Sequence, residues 1–133
     1  MATLTYTVKE TVTINGKVVG NEIVKAVTGV NKYQQFTMTV PTSTTIGIVL
    51  FATLAQYGSV KDGDLEYVRI TNLDGTNFID LSFDNGTDGA TIRLEAGGSL
   101  ILTSDTLNGV QLDYIKGQAD TADCEIEVFI GIA

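Results

Sequence analysis

Apolar and polar residues alternate with a period of two along most of this chain, and that pattern constrains the fold more than any other feature of the sequence. The clearest example is the run from Cys124 to Ile132, in which every second residue is apolar. A period of two places successive side chains on opposite faces of a β-strand, whereas an amphipathic helix repeats about every 3.6 residues. No segment has a convincing helical period, so the sequence predicts an all-β fold.

Turn-forming pairs separate the alternating segments. Asn15-Gly16, Asp74-Gly75 and Asn108-Gly109 favour the positive φ angles of tight turns. The predicted strands lie at residues 4–14, 17–27, 36–40, 46–54, 65–71, 78–83, 91–95, 99–103, 110–115 and 124–132. About ten short strands with this spacing predict an antiparallel β-sandwich, jelly-roll-like in its organisation. In this interpretation the strand after Asp74-Gly75 returns beside the strand before it.

The length and composition fit a single domain. The chain has 133 residues, of which 44% are hydrophobic, enough for one sizeable core and too few for a second. We therefore interpret residues 1–133 as one β-sandwich domain. Within it, residues 1–27 are a candidate protruding N-terminal hairpin. The mean hydropathy of +0.19 predicts more apolar surface than one small core hides, and hence self-association through apolar strands.

The chain is acidic, with a formal net charge of −8 at pH 7 and a sequence pI near 4.2. Such a charge repels the phosphates of nucleic acids and the headgroups of anionic lipids. The eight Lys and Arg residues are scattered singly between Lys9 and Lys116, so no basic cluster overcomes this repulsion locally. The longest apolar stretch, residues 46–55, is about half as long as a membrane-spanning helix. We therefore expect no nucleic acid and no membrane as partners.

The first residues and the single cysteine predict the compartment of synthesis. The segment MATLTYTVKE lacks the basic and apolar regions of a secretory signal, so we expect the chain to be made in a reducing compartment. Cys124 has no second cysteine with which to form an internal disulfide, and it lies in an alternating apolar run. We interpret it as a small core residue and not as a reactive thiol.

The segment DNGTDGATIRLE, residues 84–95, has acidic residues at several positions of an EF-hand calcium loop. Its third position, however, is Gly86, which has no side-chain oxygen, and its flanks alternate as strands where an EF-hand has helices. Gly86 and Gly89 suit a connecting loop. We therefore predict a strand-loop-strand connection without a metal ion. The alternative is a weak calcium site of another type that uses Asp84 and Asp88.

The sequence predicts no catalytic, cofactor-binding or metal-binding residues. The chain has no histidine, which excludes His-based triads and removes the commonest general base and metal ligand. Paired carboxylates remain, as in glycosidases. The three pairs are Asp62 with Asp64, Asp120 with Asp123, and Glu125 with Glu127. Glu125 and Glu127 are two residues apart on a predicted strand, so we expect both on its solvent face. We predict that the protein is not an enzyme.

Four tyrosines are candidates for an exposed aromatic platform that binds carbohydrate: Tyr33, Tyr57, Tyr67 and Tyr114. The chain has no tryptophan, and tyrosines at strand and turn positions more often pack half-buried. A carbohydrate-binding module, or a tail-fibre or adaptor β-sandwich module, is therefore the alternative function.

Two segments share an order of strands and turns with a known group of proteins. They are EYVRITNLDGTNFIDLSFDNGTDGATIRLEAGGSLIL and the closing CEIEVFIGIA. Asn72 and Asn77 around Asp74-Gly75 fit an Asn-rich turn, and residues 95–99 fit a glycine corner between strands. In these features residues 65–133 resemble small β-sandwich virion proteins of tailed bacteriophages, particularly capsid decoration or cement proteins and related tail-adaptor modules. The first sixty residues carry no such resemblance.

The resemblance implies a structural role in a virion. The expected protein is a jelly-roll-like subunit, often a homotrimer, which is made in the host cytoplasm and located on the capsid surface. It bridges neighbouring subunits of the phage major capsid protein, and many weak contacts act together. Residues 4–27 are the candidate part that reaches a neighbour, because a long two-stranded ribbon is marginal alone and gains stability by packing on another surface.

Overall fold

The computed structural model describes residues 2–52 and 59–133, and within these ranges every regular element is a strand. The strands are β1 (Ala2–Lys9), β2 (Val12–Ile14), β3 (Lys17–Val19), β4 (Glu22–Val30), β5 (Lys32–Val40), β6 (Ile46–Ala52), β7 (Ser59–Lys61), β8 (Leu65–Asn72), β9 (Ile79–Asp84), β10 (Gly89–Leu94), β11 (Ser99–Leu102), β12 (Thr106–Leu107), β13 (Val110–Gln111), β14 (Tyr114–Ala119) and β15 (Cys124–Ile132). The all-β prediction is confirmed. These fifteen strands exceed the ten predicted, because several are only two or three residues long. No helix in the described ranges is long and apolar enough to cross a membrane.

Two large sheets and three two-stranded ones make up the fold. A four-stranded sheet has the order β11-β8-β15-β5, and a five-stranded sheet has the order β10-β9-β14-β6-β7. The small sheets are β1-β4, β2-β3 and β12-β13. All pairs are antiparallel except β6 with β7. The parallel strand β7 was not predicted, and the end of the predicted strand at 46–54 lies outside the described residues.

The hydrophobic core lies between the two large sheets. Ile70, Val128 and Ile130 of the four-stranded sheet and Ile79 and Leu81 of the five-stranded sheet are among its fully buried side chains. Buried residues alternate with half-buried or exposed ones along β9 and along most of β15. Each sheet therefore presents one apolar face to the other, which gives a sandwich-like arrangement. The jelly-roll form of the sandwich stays a prediction.

Cys124 is a buried core residue, as predicted. Burial raises the pKa of its thiol, and the charges of Asp74, Asp123 and Asp120 raise it further. A thiol with a raised pKa remains protonated near neutral pH and is a poor nucleophile.

The Asp74-Gly75 turn does not join two neighbouring strands, so that part of the prediction is wrong. Strand β8 pairs with β11 and β15, whereas β9 pairs with β10 and β14, so the chain crosses from one sheet to the other here. The physical reason is Asn72, whose fully buried amide donates to the carbonyl of Asn77 at 2.9 Å and approaches the carbonyls of Leu94 and Glu95 at 3.3 Å. These bonds fix a wide loop at the sandwich edge.

A second correction concerns the predicted strand at 110–115. It divides into β13 and β14, since the backbone N–H of Leu112 donates to the carbonyl of Asp105 at 2.7 Å and the Leu112 side chain is buried. The Asn108-Gly109 turn before β13 has the predicted positive φ angles, 52° and 78°.

Candidate functional site

The N-terminal hairpin is the most unusual surface of the molecule. Strands β1 to β4 form one antiparallel hairpin, which we call the ribbon (residues 2–30). Its register runs without a shift from Thr3 opposite Thr28, through Val8 opposite Ile23, to the β2-β3 end. The turn is Asn15-Gly16, with φ angles of 52° and 74°, as the sequence predicts.

The ribbon exposes most of its apolar residues. Every residue from 7 to 26 is exposed, so within the described ranges this part of the ribbon contributes no buried side chain. Twelve large hydrophobic residues are exposed in the described ranges, and seven of them lie on the ribbon. They are Val8, Val12, Ile14, Val18, Val19, Ile23 and Val24. A concentration of exposed aliphatic side chains on one element marks an interaction surface.

The base of the ribbon is anchored on the four-stranded sheet. The ring of Tyr6 lies 5.0 Å from the ring of Tyr67, centroid to centroid. Gly131 makes room for Leu4, because a Cβ built at Gly131 would lie 3.3 Å from the Leu4 Cδ1 atom. Leu4, Tyr6 and Val8 share one face of β1, since they are two residues apart. This face of β1 is therefore covered by the sheet at Leu4 and Tyr6 and exposed to solvent at Val8.

The ribbon is interrupted halfway along its length. Residues 10–11 and 20–21 lie outside the four strands, and the Glu10 N–H donates to the Asn21 carbonyl at 2.9 Å. Gly20 has a φ of 134°, and a Cβ there would lie 2.0 Å from the Glu10 carbonyl oxygen. Only glycine allows the two backbones to approach so closely. This break was not predicted, although the single Gly20 within an alternating run is a signal for one.

Three aromatic rings extend the anchored area across the sheet. Tyr33 stacks with Phe129 at a centroid distance of 6.1 Å, and Phe129 meets Tyr67 edge to face at 6.2 Å. Tyr33 is 69% exposed, whereas Tyr67 is 4% exposed. Burial raises the pKa of the Tyr67 phenol, while the charge of Arg69 opposes that rise. This row of rings is continuous with the base of the ribbon through Tyr6.

The predicted tyrosine platform is only partly assembled. Tyr33 and Tyr67 belong to one cluster, but Tyr67 is buried. Tyr114 lies on the five-stranded sheet, where the Lys116 ammonium is 4.1 Å from its ring centroid. Tyr57 lies outside the described residues. Tyr33, Tyr67 and Tyr114 therefore do not share one exposed face.

The three carboxylate pairs lie at separate places in the fold. Glu125 and Glu127 lie on the outward face of β15, as predicted. The Arg69 Nη2 atom donates to Glu127 at 2.5 Å, and the Thr39 hydroxyl donates to Glu125. The other two pairs lie in connecting loops: Asp62 with Asp64 between β7 and β8, and Asp120 with Asp123 between β14 and β15. Asp123 accepts from the Thr42 N–H at 3.2 Å.

The candidate calcium loop is a hairpin connection between β9 and β10, which confirms the strand-loop-strand prediction. Its side chains bind the loop's own backbone. Asp84 accepts from the Gly86 N–H at 2.7 Å, and Asn85 accepts from the N–H groups of Thr87 and Asp88 at 2.9 and 2.6 Å. Within the described ranges, no three His, Cys, Asp or Glu side chains group as metal ligands.

Two clefts lie elsewhere on the sandwich. A polar cleft of about 470 Å³ on the outer face of the five-stranded sheet is lined by Asp80, Arg93, Gln118 and Asp120, among others. The Arg93 guanidinium lies 3.5 Å from the Phe78 ring centroid, and its Nε lies 3.5 Å from Asp80. Sequence spacing did not single out Asp80 with Asp120, which tertiary structure brings to one cavity. The second cleft, of about 480 Å³, is apolar and lies between β10 and β11.

Comparison with protein-family models and with curated proteins gives no match for this chain.

Proposed function

We propose that this protein is a structural virion subunit, a capsid decoration or cement protein that attaches to the outer face of a phage head and bridges major capsid subunits. The observation that carries the proposal is the ribbon, an anchored hairpin whose distal aliphatic side chains are uncovered. Removal of such a surface from water by a partner stabilises the complex by roughly 25 cal/mol per Å² of buried apolar area. Such a surface suits adhesion.

The strand order supports the jelly-roll form of this proposal. The eight strands β5, β6, β8, β9, β10, β11, β14 and β15 form two four-stranded sets when β7 is set aside. We number these strands one to eight in chain order. Across the first sheet (β5-β15-β8-β11) the order is then one, eight, three, six, and across the second (β6-β14-β9-β10) it is two, seven, four, five. A double-sheet barrel of eight strands with this exchange between sheets is the jelly-roll arrangement, which recurs in viral capsid domains and in lectins. The fold alone does not decide between these roles.

The proposed mechanism is attachment by many weak contacts. We call the rest of the chain, residues 31–133, the body. We propose that the chain acts as a homo-oligomer, most simply a trimer, so that several ribbons and several body surfaces bind one lattice together. Each additional contact is then intramolecular and raises the overall avidity without any new chemistry. Acidic bodies repel one another with their net negative charge, which limits unspecific clustering.

Co-sedimentation with undecorated phage capsids tests the proposal. Full-length protein should pellet with capsids, and a variant that lacks residues 1–27 should pellet less, because it has lost the ribbon's apolar area. A variant with Leu73→Asp, at an exposed apolar residue outside the ribbon, is the matched control and should bind as the full chain does. Absence of binding by the full-length protein would refute the proposal. Equal binding by the truncated protein would remove the ribbon from the mechanism.

A carbohydrate-binding or tail-fibre module is the second candidate, and the polar cleft is the observation in its favour. Asp80, Gln118 and Asp120 line one cavity on a sheet face, and a few convergent polar groups in a concave site are typical of small-ligand recognition. Glycan-array binding that is lost in Gln118→Ala, but kept in Tyr33→Ala, would support this function at the cleft. Binding lost only in Tyr33→Ala would instead support the exposed ring.

A further inference from the structure

Two uncovered apolar surfaces occur on the same chain. One is the ribbon tip, which we define as β2, β3 and their turn (residues 12–19). Four of its six strand residues are branched aliphatics, namely Val12, Ile14, Val18 and Val19, and all four are exposed, Val18 by 65%. Val12 and Val19 lie opposite each other in the register. The tip is therefore a narrow, convex apolar element.

The second surface is the apolar cleft between β10 and β11, which we call the edge cleft. Its lining includes Phe83, Ile92, Leu100, Ile101 and Leu107. Its volume of about 480 Å³ is that of a small-ligand pocket, so it suits a few side chains and not a whole protein domain. Strands β10 and β11 each end a sheet. Sheet edges with unpaired backbone groups are normally covered or otherwise protected.

The ribbon does not fill the edge cleft of its own chain. Its base contacts β8 and β15, its residues 7–26 are all exposed, and no residue of the ribbon lines the edge cleft. The hairpin arm from residue 2 to residue 15 spans up to about 45 Å at about 3.3 Å per residue. A body of roughly one hundred residues has a radius of gyration of about 13 Å. The tip therefore reaches well beyond the surface from which it starts.

The charges of the two parts are complementary. Residues 2–30 carry three lysines and two glutamates, a net charge of +1, whereas residues 31–133 carry five basic and fourteen acidic residues, a net charge of −9. Two negatively charged bodies repel each other, whereas the positively charged ribbon of one copy is attracted to the negatively charged body of another. This asymmetry favours contact between the tip of one chain and the body of the next over contact between two bodies.

We propose that the ribbon tip of one copy inserts its aliphatic side chains into the edge cleft of a second copy. This inference rests on the proposed homo-oligomer and names the partner of the ribbon tip as the same chain, so that the rest of each ribbon and the sandwich remain to bind the lattice. The contact is head to tail, since tip and cleft are different surfaces. Such contacts close into a ring when the rotation between copies permits, as a trimer requires, and otherwise continue as a filament.

Sedimentation velocity on the purified chain at micromolar concentration, without capsids, tests the inference. The full chain should sediment as an oligomer. The variant Ile14→Asp/Val18→Asp should be a monomer, because the tip would bury carboxylates without partners, which weakens association by roughly tenfold or more. Both positions are exposed, so the sandwich should keep its circular dichroism spectrum and its melting temperature. The cleft variant Ile92→Asp should also be a monomer, and Leu73→Asp should behave as the unmodified chain does.

Mixing the two monomeric variants gives the decisive result. The tip variant keeps a normal cleft and the cleft variant keeps a normal tip, so one junction forms and the assembly stops at two chains, with twice the chain mass of 14.2 kDa. A mixture that stays monomeric overturns the inference. So does a full chain that is monomeric, or a cleft variant that assembles normally, as ribbon-to-ribbon pairing would allow. Capsid binding is not involved in these measurements, so failure here is distinguishable from failure of the proposed function.

Discussion

At the scale of single residues, Gly131 decides how the ribbon is anchored. It lies on β15 beside Tyr67 of β8, and the missing side chain leaves the space in which Leu4 packs. A Cβ at this position would lie 3.3 Å from Leu4 and 3.5 Å from Val30 and Tyr67. The distance to Leu4 is tighter than ordinary van der Waals contact, whereas the other two are ordinary contacts, so a side chain at this position requires Leu4 to shift.

Gly131→Val is therefore expected to loosen the ribbon base and to destabilise the body by about 1–3 kcal/mol, the usual cost of overpacking. Hydrogen exchange of the amides in residues 27–30 should become faster, and urea denaturation should report the loss of stability. Gly75→Val is the control, since a Cβ at Gly75 meets no atom within 4 Å. If exchange at residues 27–30 is unchanged in Gly131→Val, Gly131 does not seat the ribbon.

Asp74 links stability to pH at the same scale. Its Oδ1 accepts from the N–H groups of Asn77 at 2.6 Å and Thr76 at 2.8 Å. The bond from Asn77, followed by that from Thr76, holds the pKa of the Asp74 carboxyl below its ordinary value of 3.8. A group with a lowered folded-state pKa stabilises the fold above its unfolded-state pKa, and that contribution disappears as the pH falls through the folded-state value.

The expected outcome is a pH-dependent difference between the unmodified chain and Asp74→Asn. The unmodified chain should be the more stable of the two at neutral pH, and the difference should shrink below about pH 4 as the carboxyl protonates. Urea denaturation between pH 2 and 7 measures it, and the comparison removes the contribution of the other carboxylates. A difference that is constant over this range would show that the loop does not depend on the ionised carboxyl.

At the scale of elements, the β9-β10 connection shows how a loop can satisfy its own polar groups. Asp84 and Asn85 accept bonds from the backbone of the loop, and the Asn85 amide donates to the Leu107 carbonyl at 2.7 Å. Asp88 accepts from the Asn108 amide at 3.2 Å. One side-chain oxygen each of Asp84, Asn85 and Asp88 is thus engaged in hydrogen bonds that order the β9-β10 loop and join it to the β12-β13 hairpin.

A chelator should therefore leave the melting temperature unchanged within experimental error. An ion that binds only the folded state stabilises it, so its removal would lower the melting temperature. Scanning calorimetry with and without EDTA makes the comparison, and added calcium provides the reverse test. A loss of several degrees with EDTA would contradict the prediction and support a calcium site of another type at Asp84 and Asp88.

At the scale of the whole molecule, the ribbon and the sandwich differ in how much buried apolar surface stabilises each of them. All of the buried hydrophobic residues of the core lie from Val30 onward. The ribbon contributes its base contacts at Leu4 and Tyr6 and is exposed beyond them. A two-stranded hairpin has little stability of its own, so the ribbon depends on the sandwich or on a partner, whereas we expect the sandwich to fold without the ribbon.

Deletion of residues 1–27 should leave a sandwich that unfolds cooperatively, with a somewhat lower melting temperature because Tyr67 loses its cover. Calorimetry and near-ultraviolet circular dichroism check this outcome, and the same protein serves as the folded control for the capsid measurements. A truncated chain without a cooperative transition would show that the ribbon is part of the folding unit.

Properties that depend only on neighbouring residues could be predicted from the sequence. Period-two alternation placed β15 at its observed bounds, and the turn pairs at Asn15-Gly16 and Asn108-Gly109 predicted their positive φ angles. Burial of Cys124 and exposure of Glu125 followed from the same alternation. These properties are local, because the side-chain direction in a strand and the φ preference in a turn are set within a few residues.

Only the tertiary structure decided which strands are neighbours. The pairing of β8 with β15 and β11, the crossing at Asp74-Gly75 and the edge cleft all join residues far apart in the chain, and many alternating segments are compatible with one another as partners. The same holds for the seating of Leu4 over Gly131, which no local pattern marks. Alternation predicts which face of a strand is apolar, but the surface that covers this face is determined by packing over the whole molecule.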